Sequence, residues 1–271
     1  MHCDLNNFYA SVEQKLHPEY DGMPLAVCGD PKARHGIVLA KNQLAKQAGV
    51  KTAETIWEAK QKCPELVLVE PHFDEYVKYS KQVFEIYTSF TDRVESFGID
   101  ECWLDVTGCE RLFGDGKAIA DTLRKTVKEK TGLTISVGVS FTKTLAKLGS
   151  DLKKPDATTV LDEKHYMQII GNMPPSEMIM VGKHTSEKLE KLNIRTIKDL
   201  ANADRNALRY QFGIIADTLV NAAQGIETEE VKKYYDVRIP KSVSKGTTTP
   251  RNIESANEEK IVIYALAEMV A

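Results

Sequence analysis

The stretch FGIDECWLDV, residues 97–106, sets two adjacent carboxylates, Asp100 and Glu101, inside a largely apolar run. Such a run reads as a strand, and neighbouring strand residues point to opposite faces. Both carboxylates can therefore reach one site only near a turn or the end of a sheet. Gly98 supplies the turn, so RVESF and IDECWLDVTG are predicted to pair as a hairpin. Two anions crowded there repel unless a cation neutralises them or one takes up a proton. Hard oxygen ligands of this type suit Mg2+, which keeps some waters and is often completed by substrate phosphates. A solvated hairpin tip is the competing reading of the pair alone.

The rest of the chain supplies the frame. It opens MHCDLNNFYASVEQ, where Asp4 follows a short apolar start, HCDL, too short to prove a strand by itself, and a helix from Asn6 or Asn7 puts Phe8, Val12 and Leu16 on one face. PLAVCGD, GIVLA and LVLVE read as buried strands, and NQLAKQAGV and TIWEAKQKCP as helices stopped by Gly49 and Pro64. Tyr76, Tyr79, Val83, Tyr87 and Phe90 recur at helical spacing and make a long amphipathic helix whose aromatic stripe is core, not a base-stacking platform. After the hairpin come a helix, KAIADTLRKTVKEKTG, a strand, TISVGVS, and a helix, FTKTLAKLGSDLKK.

This order, β-α-β-β-α-β with a large insertion after the first helix, predicts an α+β fold with helices on one face of a sheet. Past Pro174 the pattern is wholly helical, so a second domain is expected to begin near residue 166. If the strand of Asp4 lies beside the hairpin, three carboxylates converge where strand ends meet. That is the layout of a two-metal phosphoryl-transfer site, one metal activating a 3′-hydroxyl and the other gripping a triphosphate. Capping the next helix is the competing role for Asp4.

Composition narrows the classes. A length of 271 residues suits about two domains with an added fragment. No apolar run approaches the ~20 residues of a membrane span, and no leader precedes a cleavage site, so a soluble intracellular protein is the default expectation. Five cysteines without a CxxC pair read as reduced core thiols, not as a zinc site or disulfide framework. The net charge of −3 argues against a uniformly basic nucleic-acid coat, yet residues 232–251 carry six basic side chains against one acidic.

Two further features fit a phosphate-handling protein. Lys154, at a helix end just before Pro155, can reach phosphate oxygens, although a lone exposed lysine is usually only solvated. MVGKHTSEKLEKLNIRTIKDLANAD resembles a helix-hairpin-helix, which holds a DNA phosphate by backbone N–H groups, with helices starting near Thr185 and at Thr196. Met180 stands where the first turn glycine is usual, and a plain helical pair is the alternative.

Taken together, DLNNFYASVE, SFGIDECWLDVTG and SVGVSFTKTLAKLGSDLKKPD, followed by the helix-hairpin-helix, resemble the Y-family translesion DNA polymerases of the DinB and UmuC type, the ImpB/MucB/SamB family. The resemblance covers essentially the whole chain. It implies a palm in two segments (1–21 and 74–165), small fingers (22–73), a thumb (166–231), a basic linker (232–241) and the start of a little-finger domain (242–271) in a C-terminally truncated chain. That last segment is expected to form a strand, KSVSKGTTTPRNI, and an amphipathic helix, ANEEKIVIYALAEMVA.

Residue by residue, the resemblance implies that Asp4, Asp100 and Glu101 are catalytic metal-binding carboxylates and that the Leu5 carbonyl is a backbone ligand for two Mg2+ ions. It implies that the N–H groups of Asn7 and Phe8 meet the triphosphate, that Tyr9 is the steric gate against a ribose 2′-hydroxyl, and that Lys154 binds phosphate. Gln43 and Lys46 stand where many relatives have Tyr and Arg; both can donate to phosphate, but Lys lacks the bidentate fork of Arg. Asn6 replaces the second Asp of many DinB proteins. The expected function is DNA-template-directed addition of deoxynucleotides opposite damaged bases. The expected partners are primer-template DNA, dNTP and, for the full-length protein, a sliding clamp, with a monomer in the bacterial cytoplasm at the nucleoid. The rivals are a non-catalytic DNA-binding accessory protein and another palm-type enzyme such as a cyclase.

Overall fold

The computed structural model describes residues 1–30, 36–236 and 240–271. In chain order the elements are β1 (His2–Leu5), α1 (Phe8–Leu16), β2 (Leu25–Cys28), β3 (Val38–Lys41), α2 (Gln43–Gln47), α3 (Ile56–Lys62), β4 (Val67–Val69), α4 (Phe73–Thr88), β5 (Val94–Ser96), β6 (Glu101–Leu104), α5 (Glu110–Phe113), α6 (Gly116–Thr131), β7 (Ile135–Ser140), α7 (Lys143–Leu152) and β8 (Thr158–Leu161). Then follow α8 (Tyr166–Ile170), α9 (Lys183–Lys191), α10 (Ile197–Ala201), α11 (Arg205–Phe212), α12 (Ile215–Ala223) and α13 (Ala256–Glu268). The chain divides into two compact units: Met1–Asn6 with Val77–Tyr235, and Asn7–Tyr76 with Asp236–Ala271.

The first unit is built on a five-stranded sheet of order β5-β6-β1-β7-β8. The central β1 runs antiparallel to both β6 and β7, which is the split sheet that the element order predicts. The fifth strand, β8, runs parallel to β7 and is not legible in the sequence, because TTVL is short and half polar. Helices cover both faces, not one as expected. On one face α7 sits directly on Gly138, where an added Cβ would lie 1.9 Å from the Ala146 carbonyl oxygen and 2.4 Å from the Ser150 nitrogen. Only a residue without a side chain lets backbone approach backbone so closely. On the other face the buried Cys3 meets Tyr87 of α4. Beyond β8 the helices pack around Leu189, Ile197, Leu200, Leu208 and Leu219, and this core continues into Leu145, Leu148 and Leu161 without a break near residue 166.

In the second unit β2 pairs antiparallel with β3 and parallel with β4. α1 packs against β2 and β3 and buries Phe8, Ala10, Val12 and Glu13. Leu16, expected on that face, is 38% exposed, while the charged-type Glu13 is wholly buried. α3 opens on a complete capping box, in which Thr55 and Glu58 satisfy each other's backbone N–H groups. The strand expected in KSVSKGTTTPRNI is not formed: residues 240–253 are irregular and mostly exposed, with no ladder partner for their backbone groups among the described residues. α13 does form, capped by Ser255, and leaves Ile261, Ile263 and Tyr264 exposed.

Candidate active site

The register of β1 against β6 brings Asp4 opposite Glu101. Met1 and Leu104 exchange both backbone hydrogen bonds, and the Leu5 N–H donates to the Asp100 carbonyl at 3.0 Å. Counting between these bonded pairs makes Asp4–Glu101 a non-hydrogen-bonded pair, the position in an antiparallel ladder where facing side chains stand closest. Alternation then puts His2 and Trp103 on the same face as the two carboxylates, and Cys3 and Cys102 on the other. The hairpin loop closes as the N–H groups of Phe97 and Gly98 both donate to the Glu101 carbonyl.

α7 lies over this face, held at its N-terminus by Thr142 capping Leu145 N. It delivers Lys147, whose Nζ is 2.7 Å from Glu101 Oε1, 3.2 Å from Asp4 Oδ2 and 3.4 Å from Asp151 Oδ2. Lys154, just past the helix, reaches Asp4 Oδ2 at 2.8 Å and Asp151 Oδ1 at 2.7 Å. Asp4 is therefore engaged by ammonium groups, and Asn7, not Asp4, is the N-cap residue of α1. Behind the pair, the buried His2 meets Ser150 Oγ through Nδ1 at 2.9 Å, while its Nε2 stands 3.6 Å from Glu101 Oε2 without a hydrogen bond.

The electrostatics follow from this crowding. Burial, then the proton shared with Glu101, raises the Asp4 carboxyl to about 7. For Glu101 burial pushes the same way, but His2, Asp4 and Lys147 together outweigh it and hold the group below the usual carboxylate range. Burial and then the Glu101 charge raise Asp100. Burial would lower Lys147 and Lys154, yet the carboxylates around them raise both. His2 is lowered by burial, which keeps it neutral at pH 7.

Of the three expected carboxylates, Asp4 and Glu101 face each other across the strands and share the Lys147 ammonium group. Asp100 is fixed through its carbonyl to Leu5, and among the described residues no three His, Cys, Asp or Glu side chains form a ready-made metal cage. The donor set nevertheless fits a hard divalent cation. It is all oxygen, and two ammonium groups already supply positive charge to the same oxygens. Sequence reasoning misses Lys147, Asp151 and His2. A signal is there: Lys143, Lys147, Asp151 and Lys154 follow one another at three- and four-residue steps, one stripe of a helix and its end.

The remaining expected residues lie in the second unit. Asn7 adopts a left-handed φ of 50° and makes no side-chain cap. Phe8 is buried, and Tyr9 is half-buried with its ring stacked on Tyr76 at 4.2 Å and 11°. Gln43 and Lys46 are on α2, whose N-cap Asn42 accepts from Ala45 N and Leu25 N; Gln43 is half-buried and Lys46 exposed.

In the first unit, Met180 takes the left-handed φ of 73° that its turn requires, which explains the usual glycine there. α9 begins at Lys183 on Gly182, two residues earlier than expected, and Thr196 caps α10 with a full capping box. The start of the basic linker is tied down: Lys232 N donates to Glu95 Oε2 at 3.1 Å and Lys233 pairs with Asp92 at 2.9 Å. Residues 237–239 of that linker lie outside the described residues.

The site is thus a pair of facing carboxylates on the central strands of a mixed sheet, with two lysines set against them. The family model described as impB/mucB/samB matches residues 3–151. DNA polymerase IV of Acetivibrio thermocellus is 50% identical over 271 residues, all of this chain and 68% of the relative. DNA polymerase IV 1 of Bacillus subtilis is 39% identical over 264 residues, covering 96% of this chain and 62% of the relative. Among solved structures, DinB from Sulfolobus solfataricus superposes with a TM-score of 0.77 at 28% identity, covering 86% of this chain and 68% of that one. An insertion ternary complex of Dbh DNA polymerase gives 0.78 at 29% identity, with 85% and 68% covered. The chain belongs to the impB/mucB/samB family of Y-family polymerases, DNA-directed DNA polymerases of translesion synthesis. It spans about two thirds of the length of these relatives. Metal use is typical of the family, and no helix among the described residues is long and apolar enough to cross a membrane.

Proposed function

We propose that this chain adds deoxynucleotides to a primer 3′ end opposite damaged template bases, by phosphoryl transfer at the Asp4–Glu101 face. The observation that carries the reading is the facing pair Asp4 and Glu101 with Lys147 and Lys154 against it. Asp4, Asp100, Glu101 and the Leu5 carbonyl would hold two Mg2+ ions, which supply positive charge to the phosphoryl oxygens and make the primer hydroxyl more acidic. Lys154 meets the triphosphate as a point charge, with Gln43, Lys46 and the N–H groups of Asn7 and Phe8 as further donors. Tyr9 excludes a 2′-hydroxyl by contact. The thumb at 166–231 holds duplex phosphates through the turn before α9, and the palm, fingers and linker take the bounds given by the sequence resemblance. The working partners are primer-template DNA and dNTP, with a sliding clamp for the full-length protein, which acts as a monomer in the bacterial cytoplasm at the nucleoid.

An accessory protein with a decayed site is disfavoured, because decay would first remove one of Asp4, Asp100 or Glu101, and all three are present. Primer extension on undamaged and abasic templates tests the proposal, with Asp100→Ala as control. Extension by the parent and none by the variant is expected. Undiminished extension by Asp100→Ala would refute the assignment.

A further inference from the structure

Glu13 is 0% exposed, yet nothing in the proposed chemistry uses it. It lies one turn after Tyr9 on α1, so the two side chains share a helix face. The Tyr76 hydroxyl donates to Glu13 Oε1, and His72 Nδ1 is 3.0 Å and 3.1 Å from the two carboxyl oxygens. Tyr76 is itself fully buried, and its ring lies flat against Tyr9, at 4.2 Å between centroids and 11° between planes. Phe73 closes on both rings edge-on, at 6.0 Å from Tyr9 and 5.8 Å from Tyr76.

Core packing alone does not call for this arrangement. A buried carboxyl is costly unless its hydrogen bonds are made, and an apolar residue of similar volume would fill the space more cheaply. What the arrangement adds is restraint. A hydroxyl bond at the far end of the Tyr76 ring fixes its rotation and tilt, and the stacked partner is then fixed with it. A ring that excludes a sugar hydroxyl by collision discriminates only as far as it refuses to move.

We infer that Glu13 and Tyr76 are positioning residues for Tyr9 and set how strictly ribonucleotides are excluded. The inference rests on the proposed reading of Tyr9 as the ring that meets the sugar. Tyr76→Phe keeps the stack and removes the bond, Glu13→Leu removes the acceptor, and Glu13→Gln restores an acceptor oxygen for the Tyr76 hydroxyl.

The experiment measures kcat/KM for one rNTP and the matching dNTP in the full chain and each variant, and reads their ratio, which a general loss of activity leaves alone. Tyr76→Phe and Glu13→Leu are expected to raise the rNTP to dNTP ratio about tenfold, and Glu13→Gln to return it close to the parent value. Tyr9→Ala should raise it further than either. If Tyr9→Ala relaxes discrimination while Tyr76→Phe matches the parent, the gate stands and the positioning role is overturned. If Tyr9→Ala also matches the parent, the gate reading itself falls. Tyr76→Phe differs by one atom and decides the matter even if Glu13→Leu does not fold.

Discussion

Glu101 and Glu13 are both largely removed from water, one in each unit, and they are satisfied in different ways. Glu101 faces a second carboxyl, Asp4, and is balanced by the ammonium group of Lys147. Glu13 is met instead by a phenol and an imidazole. The first arrangement concentrates opposite charges where a cation and a polyanion can enter. The second spends its polarity on orientation, since a hydroxyl bond is directional and nearly indifferent to salt. Neither is explained by stability alone, because buried ionic groups contribute little net free energy to a fold. The contrast separates a place built for charge from a place built for shape.

The largest effect should come from breaking the charged side. Glu101→Ala is expected to lower single-turnover nucleotide addition by about a thousandfold or more while primer-template binding, held by remote phosphates, changes little. Rapid-quench kinetics with a parallel filter-binding titration checks both halves. Next comes the support beneath it. Gly138→Ala forces a Cβ against the backbone of α7 and should cost roughly 3 kcal/mol or more, seen as a fall in the denaturation midpoint, and should displace Lys147 from Glu101. A variant as stable as the parent would mean that α7 does not rest on the sheet.

The smallest effect concerns the turn that carries Lys154. Asp156 pairs with Arg124 at 2.8 Å and with Lys128 at 3.2 Å. Burial alone would raise its carboxyl, but the two cations outweigh it and hold it below the usual range. Such a group stabilises the fold above its unfolded pKa of about 3.9 and loses that contribution as pH falls toward the folded value. Asp156→Asn should therefore lower stability by about 1 kcal/mol at pH 7 and flatten the acid limb of a melting-temperature profile below about pH 4. An unchanged acid limb would mean that the Asp156 ion pairs do not stabilise the fold.

Local pattern carries much of this architecture. Apolar runs and turn residues mark β5, β6 and β7, HCDL is too short to prove β1 on its own, and the carboxylates Asp4, Asp100 and Glu101 stand out because they interrupt apolar runs. What stays hidden depends on which surfaces meet. Lys147, Asp151 and His2 acquire their place only when α7 lands on Gly138, and a sequence does not display the face a helix will choose. Glu13 gives no signal in the sequence, since its partners Tyr76 and His72 lie some sixty residues away. The expected strand after Lys241 fails for a related reason: β-branched residues favour a strand only where a neighbouring strand offers its hydrogen bonds.

The central claim is that Asp4 and Glu101 form a cation site on the palm sheet. Titrating Mn2+ into the protein and following the free ion by electron paramagnetic resonance tests it without relying on turnover. Saturable binding by the parent is expected, weakened at least about tenfold in both Asp4→Asn and Glu101→Gln. Equal binding by the parent and both variants would contradict it.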